Sequence, residues 1–402
     1  MRGFSARKSV VIFSLIIGIT LTLGIVAASL NQPGPSNFNL GTAASKPRGI
    51  ANSPSTSPAD LWSGTAYFER TKYTPADDCG GPCLVQEESL IQPPTQPANV
   101  VYMYYRPHLD DHWDVVGYNI GPIPLQTDGG VSLAYSTDGG ATFKQANGGH
   151  SLPGPNPGDE GLNPGPANKN FCAWDSQHVI APSVVYVNGV YYMVYEGATI
   201  GYATAYLYCP PGFYYTSGDI GLATSTDGFN WTKQGIILYH NPDPFSFEAN
   251  NIGTPFVGYF NNQFYVFYHG DSGLFQVNQR NQIGMAYGPD LFHLTKLGNP
   301  VLPVDEGIGS WDAWTTSRAS VIWDPSSSYY YMTFEGSQSV DCNVPIFGGV
   351  GNWGWGIARS KDLITWEKFP ISAFIRPFHN VRHITSLDMQ TVMVGLRVPV
   401  SF

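Results

Sequence analysis

The sequence predicts an all-β fold: a five-bladed β-propeller of four-stranded antiparallel blades, its ring closed by strands from the N- and C-terminal ends. Three observations predict it. Alternating aromatic segments recur as "VVYMYY" (100–105), "YYMVYEG" (191–197), "FYVFYHG" (264–270) and "YYYMTFEG" (329–336). Each is followed by a short small-residue strand and an aspartate-bearing turn, as in "VSLAYSTDGGATF" (131–143), "IGLATSTDGFNW" (220–231), "IGMAYGPDLFHL" (283–294) and "WGIARSKDLITW" (355–366). Aromatics make up 14% of the 402 residues and charged residues only 12%, with 45 Gly and 32 Pro, a composition of many short strands joined by turns.

A further block precedes three of the aromatic strands: "WDSQHVIAPSVV" from Trp174, "FEANNIGTPFVG" from Phe247 and "WDAWTTSRASVI" from Trp311. These align without a gap: an aromatic, an acid, six residues, then Pro182, Pro255 or Ala319 opening a strand. Each repeat therefore reads as four strands. The first follows the proline position, the second is the aromatic segment, the third is the small-residue strand, and the fourth opens after the turn. Four repeats fill residues 84–370, and "LWSGTAYFERTKYT" (61–74) with "HITSLDMQTVMVGL" (383–396) supply a fifth that removes the exposed sheet edges. Six blades is the competing count, should residues 144–170 hold a degenerate sheet. Asp138, Asp227, Asp290 and Asp362 are expected to cap their own turns.

The ends of the chain are of other kinds. Arg2, Arg7 and Lys8 precede an apolar run from Val10 to Leu30, so residues 1–30 read as a secretory signal, cleaved after Val26-Ala27-Ala28, or as an uncleaved membrane anchor. Both readings export the rest, placing it outside the cell or on the outer face of the cell membrane. Residues 31–60, rich in Pro, Ser, Asn and Gly, read as a flexible linker, and residues 61–402 as a single propeller domain. A net charge of −10 without a basic stripe argues against a nucleic-acid partner. Membrane contact is expected only through the N-terminal segment, and the domain is expected to be a monomer. Five cysteines suit an oxidising compartment. Cys79 and Cys83 could close a small loop, and Cys172 is expected to pair with Cys209, against the competing pair Cys209–Cys342. No cofactor and no metal site is expected.

"APSVVYVNGVYYMVYEG" followed by "IGLATSTDGFNW" resembles the five-bladed propeller glycosidases of the arabinanase, levansucrase and invertase superfamily, with the family 43 and family 32 glycoside hydrolases as relatives. The resemblance implies a carbohydrate substrate. Such enzymes carry an acid just before the proline that opens a blade's first strand. Here those positions hold Ile180 and Ala181, Gly253 and Thr254, and Ser317 and Arg318, none of them acidic. "STDGGATF" (136–143) also resembles the Asp-box turn of sialidases, without an arginine triad to accompany it.

In a propeller the start of the first strand and the end of the second share one face of the ring. That face would gather Asp175, Glu248 and Asp312 ahead of the first strands, and Arg106, Glu196, His269 and Glu335 at the ends of the second. Glycoside hydrolysis needs one protonated and one ionised carboxyl group, so Asp175, Glu196, Glu248, Asp312 and Glu335 are the catalytic candidates. Trp174, Trp311 and Trp314 could stack on sugar rings, as could Trp353 and Trp355, and His178, His269, Arg318 and Arg106 could bind hydroxyl or carboxylate groups. Structural alternatives stand beside these roles. The three recurring acids could cap the turn before the first strand, Glu196 and Glu335 could pair with arginine or loop backbone, and Arg318 could neutralise Asp312. The expected function is that of an exported glycoside hydrolase acting on a plant or microbial polysaccharide. The alternative is a non-catalytic carbohydrate-binding propeller.

Overall fold

In this computed structural model the described residues are 58–63, 84–108, 118–120, 123–125, 131–140, 143–146, 172–199, 209–272, 280–305, 310–337 and 353–369. All belong to one compact unit, Ser53–Phe402. The N-terminal segment, the proposed closing strands after residue 63 and beyond residue 382, the Cys79–Cys83 loop and Cys342 lie outside the described residues.

Among the described residues one short helix, α1 (Pro58–Ser63), is followed by eighteen strands. In chain order they are β1 (Leu84–Ile91), β2 (Val101–His108), β3 (Tyr118–Ile120), β4 (Ile123–Leu125), β5 (Ser132–Ser136) and β6 (Lys144–Gln145). Next come β7 (His178–Val187), β8 (Val190–Ala198), β9 (Asp219–Ser225), β10 (Thr232–Leu238), β11 (Asn251–Phe260) and β12 (Gln263–Asp271). The last are β13 (Asn281–Gly288), β14 (Thr295–Lys296), β15 (Thr315–Asp324), β16 (Tyr329–Ser337), β17 (Trp353–Ser360) and β18 (Glu367–Lys368). They pair as antiparallel meanders: I (β1-β2-β5-β6), II (β7 to β10), III (β11 to β14) and IV (β15 to β18). One parallel pairing, Asn281 with Thr315, joins III and IV into an eight-stranded sheet, and β3–β4 is a separate hairpin that the sequence did not suggest.

Period-two alternation decides how the meanders pack, because successive side chains leave a strand on opposite faces. Tyr191, Met193 and Tyr195 of β8 join Tyr102, Tyr104 and Leu133 of meander I in one core. Val194 of the same strand joins Ile252, Val257 and Phe264 of meander III in another. A third core sets Phe267 and Met285 of III against Met332 and Phe334 of IV. Meanders II and III are therefore apolar on both faces and bury them against their neighbours, unlike a sheet with one wet side. The first strands lie side by side, with Val184 N–H donating to Ser89 Oγ and Val257 N–H to Ser183 Oγ, both at 2.9 Å. The aromatic opening a fourth strand reaches back to the previous meander: Trp231 meets Tyr104 edge-on at 5.5 Å, and Trp366 meets Phe267 at 5.9 Å.

The expected aspartate turns are present at the opposite end of the meanders. Asp227 Oδ1 accepts from the N–H groups of Phe229 and Asn230, and Asp362 Oδ1 from those of Ile364 and Thr365. Asp290 Oδ1 does the same for Phe292 and His293. Asp138, like Asp227 and Asp362, accepts from the serine two residues earlier. These backbone bonds hold the Asp227 carboxyl down at about 2 against the upward push of burial.

The three recurring acids are tied into a repeated module on the face of each meander that looks to the previous one. Asp175 accepts from Lys233 Nζ at 2.6 Å and from Tyr195 Oη at 3.3 Å. Glu248 accepts from Lys296 Nζ and from Tyr268 Oη, the latter at 2.7 Å. Asp312 accepts from Lys368 Nζ at 2.6 Å. Meander IV has Phe334 where II and III have tyrosine, and there Ser310 Oγ supplies the second donor at 2.8 Å. Each lysine stands opposite an alanine of the third strand (Ala223, Ala286, Ala358), whereas meander I has Gln145 opposite Ala134. The aromatic before each acid, Trp174, Phe247 or Trp311, lies over a glycine of the second strand (Gly197, Gly270, Gly336), where a Cβ would come within 3 Å of its ring.

Two further contacts fix the ends. Cys172 and Cys209 form a disulfide with a Cα–Cα distance of 5.5 Å, which excludes the Cys209–Cys342 pairing. Trp62 of α1 packs edge-on against Tyr331 and Phe369, and the Arg359 guanidinium lies between the Trp62 and Tyr329 rings at 4.2 and 4.6 Å. The helix thus begins inside residues 31–60, the span expected to be linker.

Removing one partner of a buried pair leaves an uncompensated charge, which costs about 3–5 kcal/mol. Lys296→Met is expected to lower the urea midpoint by that equivalent. Lys296→Met combined with Glu248→Gln is expected to recover most of the loss, since Gln can still accept from Tyr268.

Candidate functional site

The start of each first strand and the end of each second strand share one end of a meander, as antiparallel pairing requires: His178 faces Ala198, and Asn251 faces Asp271. Near that end every first strand of meanders II to IV carries a bulge, between Ile180 and Ser183, Gly253 and Phe256, and Ser317 and Ser320. Inside each bulge is a non-glycine residue at positive φ: Ala181 at 51°, Thr254 at 41° and Arg318 at 49°. For β-branched Thr254, followed by Pro255, this conformation is a true outlier. Such strain costs about 1–3 kcal/mol and persists where the surroundings over-determine it.

Thr254 shows what holds the strain in place. Its N–H donates to Glu196 Oε2 of the previous meander at 2.8 Å, and its Oγ1 lies 2.7 Å from His269 Nδ1. Gly253 is a glycine for a packing reason, because a Cβ there would overlap the Glu196 carboxylate. On the other side, His178 Nε2 stands 3.6 Å from Glu196 Oε1, an electrostatic contact rather than a hydrogen bond. Glu196 is buried, and burial pushes its carboxyl up. His178, the charge of His269 and the Thr254 N–H outweigh that push and hold it at about 2. The residue therefore stays ionised at any physiological pH. In meander IV the same two strand positions hold Arg318 and Glu335, with Nη1 3.8 Å from Oε1.

The expected site residues thus separate into two groups. Glu196, His178 and His269 come together through Thr254, and Arg318 meets Glu335. Arg318 does not neutralise Asp312, whose cation is Lys368. Asp175, Glu248 and Asp312 lie at the same end of the meanders but on the other sheet face: Tyr195, which donates to Asp175, and Glu196 are consecutive on β8. Trp174 and Trp311 stack on Tyr195 and Phe334 at 5.8 and 5.5 Å, and Trp355 is buried. Trp314 is partly buried, its N–H donating to the Ser337 carbonyl. Arg106 lies two residues before the end of β2, in register with Gln86; its side chain and that of Trp353 lie outside the described residues.

Sequence reasoning missed Thr254 as a donor and missed the three lysines. The lysines did leave a signal, since Lys233, Lys296 and Lys368 each stand two residues after Trp231, Leu294 and Trp366. No group of three or more potential metal ligands occurs among the described residues.

A carboxyl group whose pKa falls on folding adds stability above its unfolded value of 4.5, and loses that contribution as pH falls through its folded value of about 2. The shift corresponds to an order of 3 kcal/mol. Glu196→Gln is therefore expected to be less stable than the parent near pH 6, with the gap narrowing between about pH 4.5 and 2 in acid titrations of the urea midpoint. A gap independent of pH would contradict the ionised assignment.

No family model matches the chain, and no curated protein matches it by sequence. Solved structures do match. A glycoside hydrolase superimposes with a TM-score of 0.51 at 16% identity, covering 81% of this chain and 85% of its own. A thermostable family-43 glycoside hydrolase matches with a TM-score of 0.45 at 16% identity, covering 76% and 75%. A family 117 glycoside hydrolase from the marine bacterium Zobellia galactanivorans matches with a TM-score of 0.38 at 20% identity, over 50% of this chain and 57% of its own, so this chain spans little more than half of that relative. The fold of the chain is similar to that of the glycoside hydrolase matched at a TM-score of 0.51, as the repeat resemblance implied.

Proposed function

We propose that this chain is an exported glycoside hydrolase acting on a plant or microbial polysaccharide, with Glu196 and Glu335 as its reacting carboxyl groups. The observation that carries the reading is the buried, ionised Glu196, fixed by the strained Thr254 of the next meander. An ionised carboxylate suits the base or nucleophile of glycoside hydrolysis and cannot be the proton donor. Glu335 occupies the same strand position in meander IV and supplies the second carboxyl, with Arg318 beside it. His178 and His269 keep Glu196 charged, and Thr254 is a positioning residue for both Glu196 and His269. Asp175, Glu248 and Asp312 serve the packing of the meanders rather than the reaction.

The reading includes a ring of five blades. Trp62 of α1 packs on Tyr331, on the face of meander IV turned away from III, which supports closure by the segments around residues 61–74 and 383–396. Residues 1–30 would direct export or anchor the protein in the membrane, and the domain would act as a monomer. One observation favours the second reading, a carbohydrate-binding propeller without activity: none of the bulge residues Ala181, Thr254 and Arg318 is an acid.

A screen of the purified domain against aryl glycosides, arabinan, xylan and fructan tests the proposal. The parent is expected to release sugar, and Glu196→Gln and Glu335→Gln are each expected to lose about 100-fold or more, as removal of acid–base groups does. Asp312→Asn is expected to lose stability while its folded fraction keeps turnover. Hydrolysis that survives in Glu196→Gln would overturn the site. Retention by polysaccharide without any hydrolysis would establish the binding reading instead.

A further inference from the structure

Trp174, Trp311 and Trp355 are packed into the meanders, which turns attention to other rings as platforms for sugar stacking. Among the described residues five large hydrophobic side chains are exposed: Tyr214, Tyr239, Phe245, Phe292 and Ile364. Phe292 and Ile364 lie in the aspartate turns, at the end remote from Glu196. The other three lie in segments at the Glu196 end. Tyr214 precedes β9, Tyr239 directly follows β10, and Phe245 lies in the connection to β11.

This rim is built rather than incidental. The Tyr214 and Tyr239 rings meet edge-on at 5.6 Å while remaining 40% and 54% exposed. Tyr214 Oη donates to Asp219 Oδ2 at 2.7 Å, and Asp219 is wholly buried. Asp219 Oδ1 accepts from His240 N at 2.6 Å and lies 2.9 Å from His240 Nδ1. The Asp219 carboxylate thus engages the His240 imidazole through Nδ1, leaving Nε2 as its other polar atom. Lys296 Nζ, already bound to Glu248, donates to the Tyr239 carbonyl at 2.6 Å and so ties the loop to the neighbouring module. Phe245 is 89% exposed, its N–H donating to Asp243 Oδ1 at 3.0 Å. Rigid aromatics with a polar atom alongside suit a ligand that has both an apolar C–H face and hydroxyl groups.

We propose that Tyr214, Tyr239, Phe245 and His240 form a subsite for a sugar ring of an extended polysaccharide, distinct from the Glu196–Glu335 positions. The assignment deepens the carbohydrate reading and rests on it. Its consequence is selectivity for polymers: a monosaccharide glycoside needs only the carboxyl end of the site, whereas a chain gains a second anchor on the rim.

The test is affinity electrophoresis in gels containing arabinan, xylan or fructan, with Glu196→Gln as the background so that no polymer is consumed. Turnover of aryl glycosides is measured in parallel in the otherwise unaltered chain. Adding Tyr239→Ala and Phe245→Ala is expected to weaken retention about tenfold or more, since a single lost ring contact already corresponds to about tenfold. Tyr239→Trp is expected to keep retention, and aryl glycoside turnover is expected to stay within about twofold of the parent. Retention unchanged by the alanines, or no retention in any of the three polymers, would overturn the subsite. So would a parallel fall in aryl glycoside turnover. Retention lost with the alanines in a protein that hydrolyses nothing would uphold the subsite and sink the hydrolase reading.

Discussion

The buried acid–lysine contact repeated in meanders II, III and IV is the interaction on which the rest of the arrangement depends. An isolated charge in such surroundings would be prohibitively costly, and each acid is given a lysine and a hydroxyl donor to offset it. The substitution of Ser310 for the missing tyrosine hydroxyl at Phe334 shows that two donors are what the site requires. Held this way, the acid fixes the aromatic before it over glycines of the second and third strands, and so fixes where the first strand begins. Everything at that end of the meanders, including the strained bulges, is placed from there.

The pleat then divides labour between adjacent residues. Tyr195 leaves β8 toward meander I and serves the module, whereas Glu196 leaves it toward meander III and meets Thr254. The same division recurs at Tyr268 and His269, and at Phe334 and Glu335. One strand end thus carries a structural residue and a candidate reactive residue one position apart. Strain at Thr254 has a physical counterpart in the low pKa of Glu196, because the residue held in the left-handed conformation is the one whose backbone N–H donates to the carboxylate.

Much of the fold was legible in the residues. Strand repeats and aspartate turns could be read because each is encoded by a short local pattern, and the Cys172–Cys209 pair, 37 residues apart, because the repeats put both cysteines on one face. The site was legible in part. The second-strand ends were recognised as a series, but the three acids before the first strands could not be separated from them. Their lysine partners stand 56, 48 and 58 residues away for Asp312, Glu248 and Asp175, and only folding brings them together. The partner of Glu196 is a backbone N–H of another repeat, which no side-chain pattern reveals. Exposure was misjudged for a related reason: tryptophans beside acids suggest sugar stacking, yet Trp174 and Trp311 pack on glycines of their own meanders, and the open rings are tyrosines on loops without a repeat.

The most direct measurement is a crystal structure of Glu196→Gln soaked with an oligosaccharide of the polymer that the protein retains. The account predicts a sugar ring within hydrogen-bond reach of residue 196, with Thr254 still at positive φ and Asp175, Glu248 and Asp312 still bound to their lysines. A sugar seated against Asp175 or Asp312, with the lysines displaced, would contradict it.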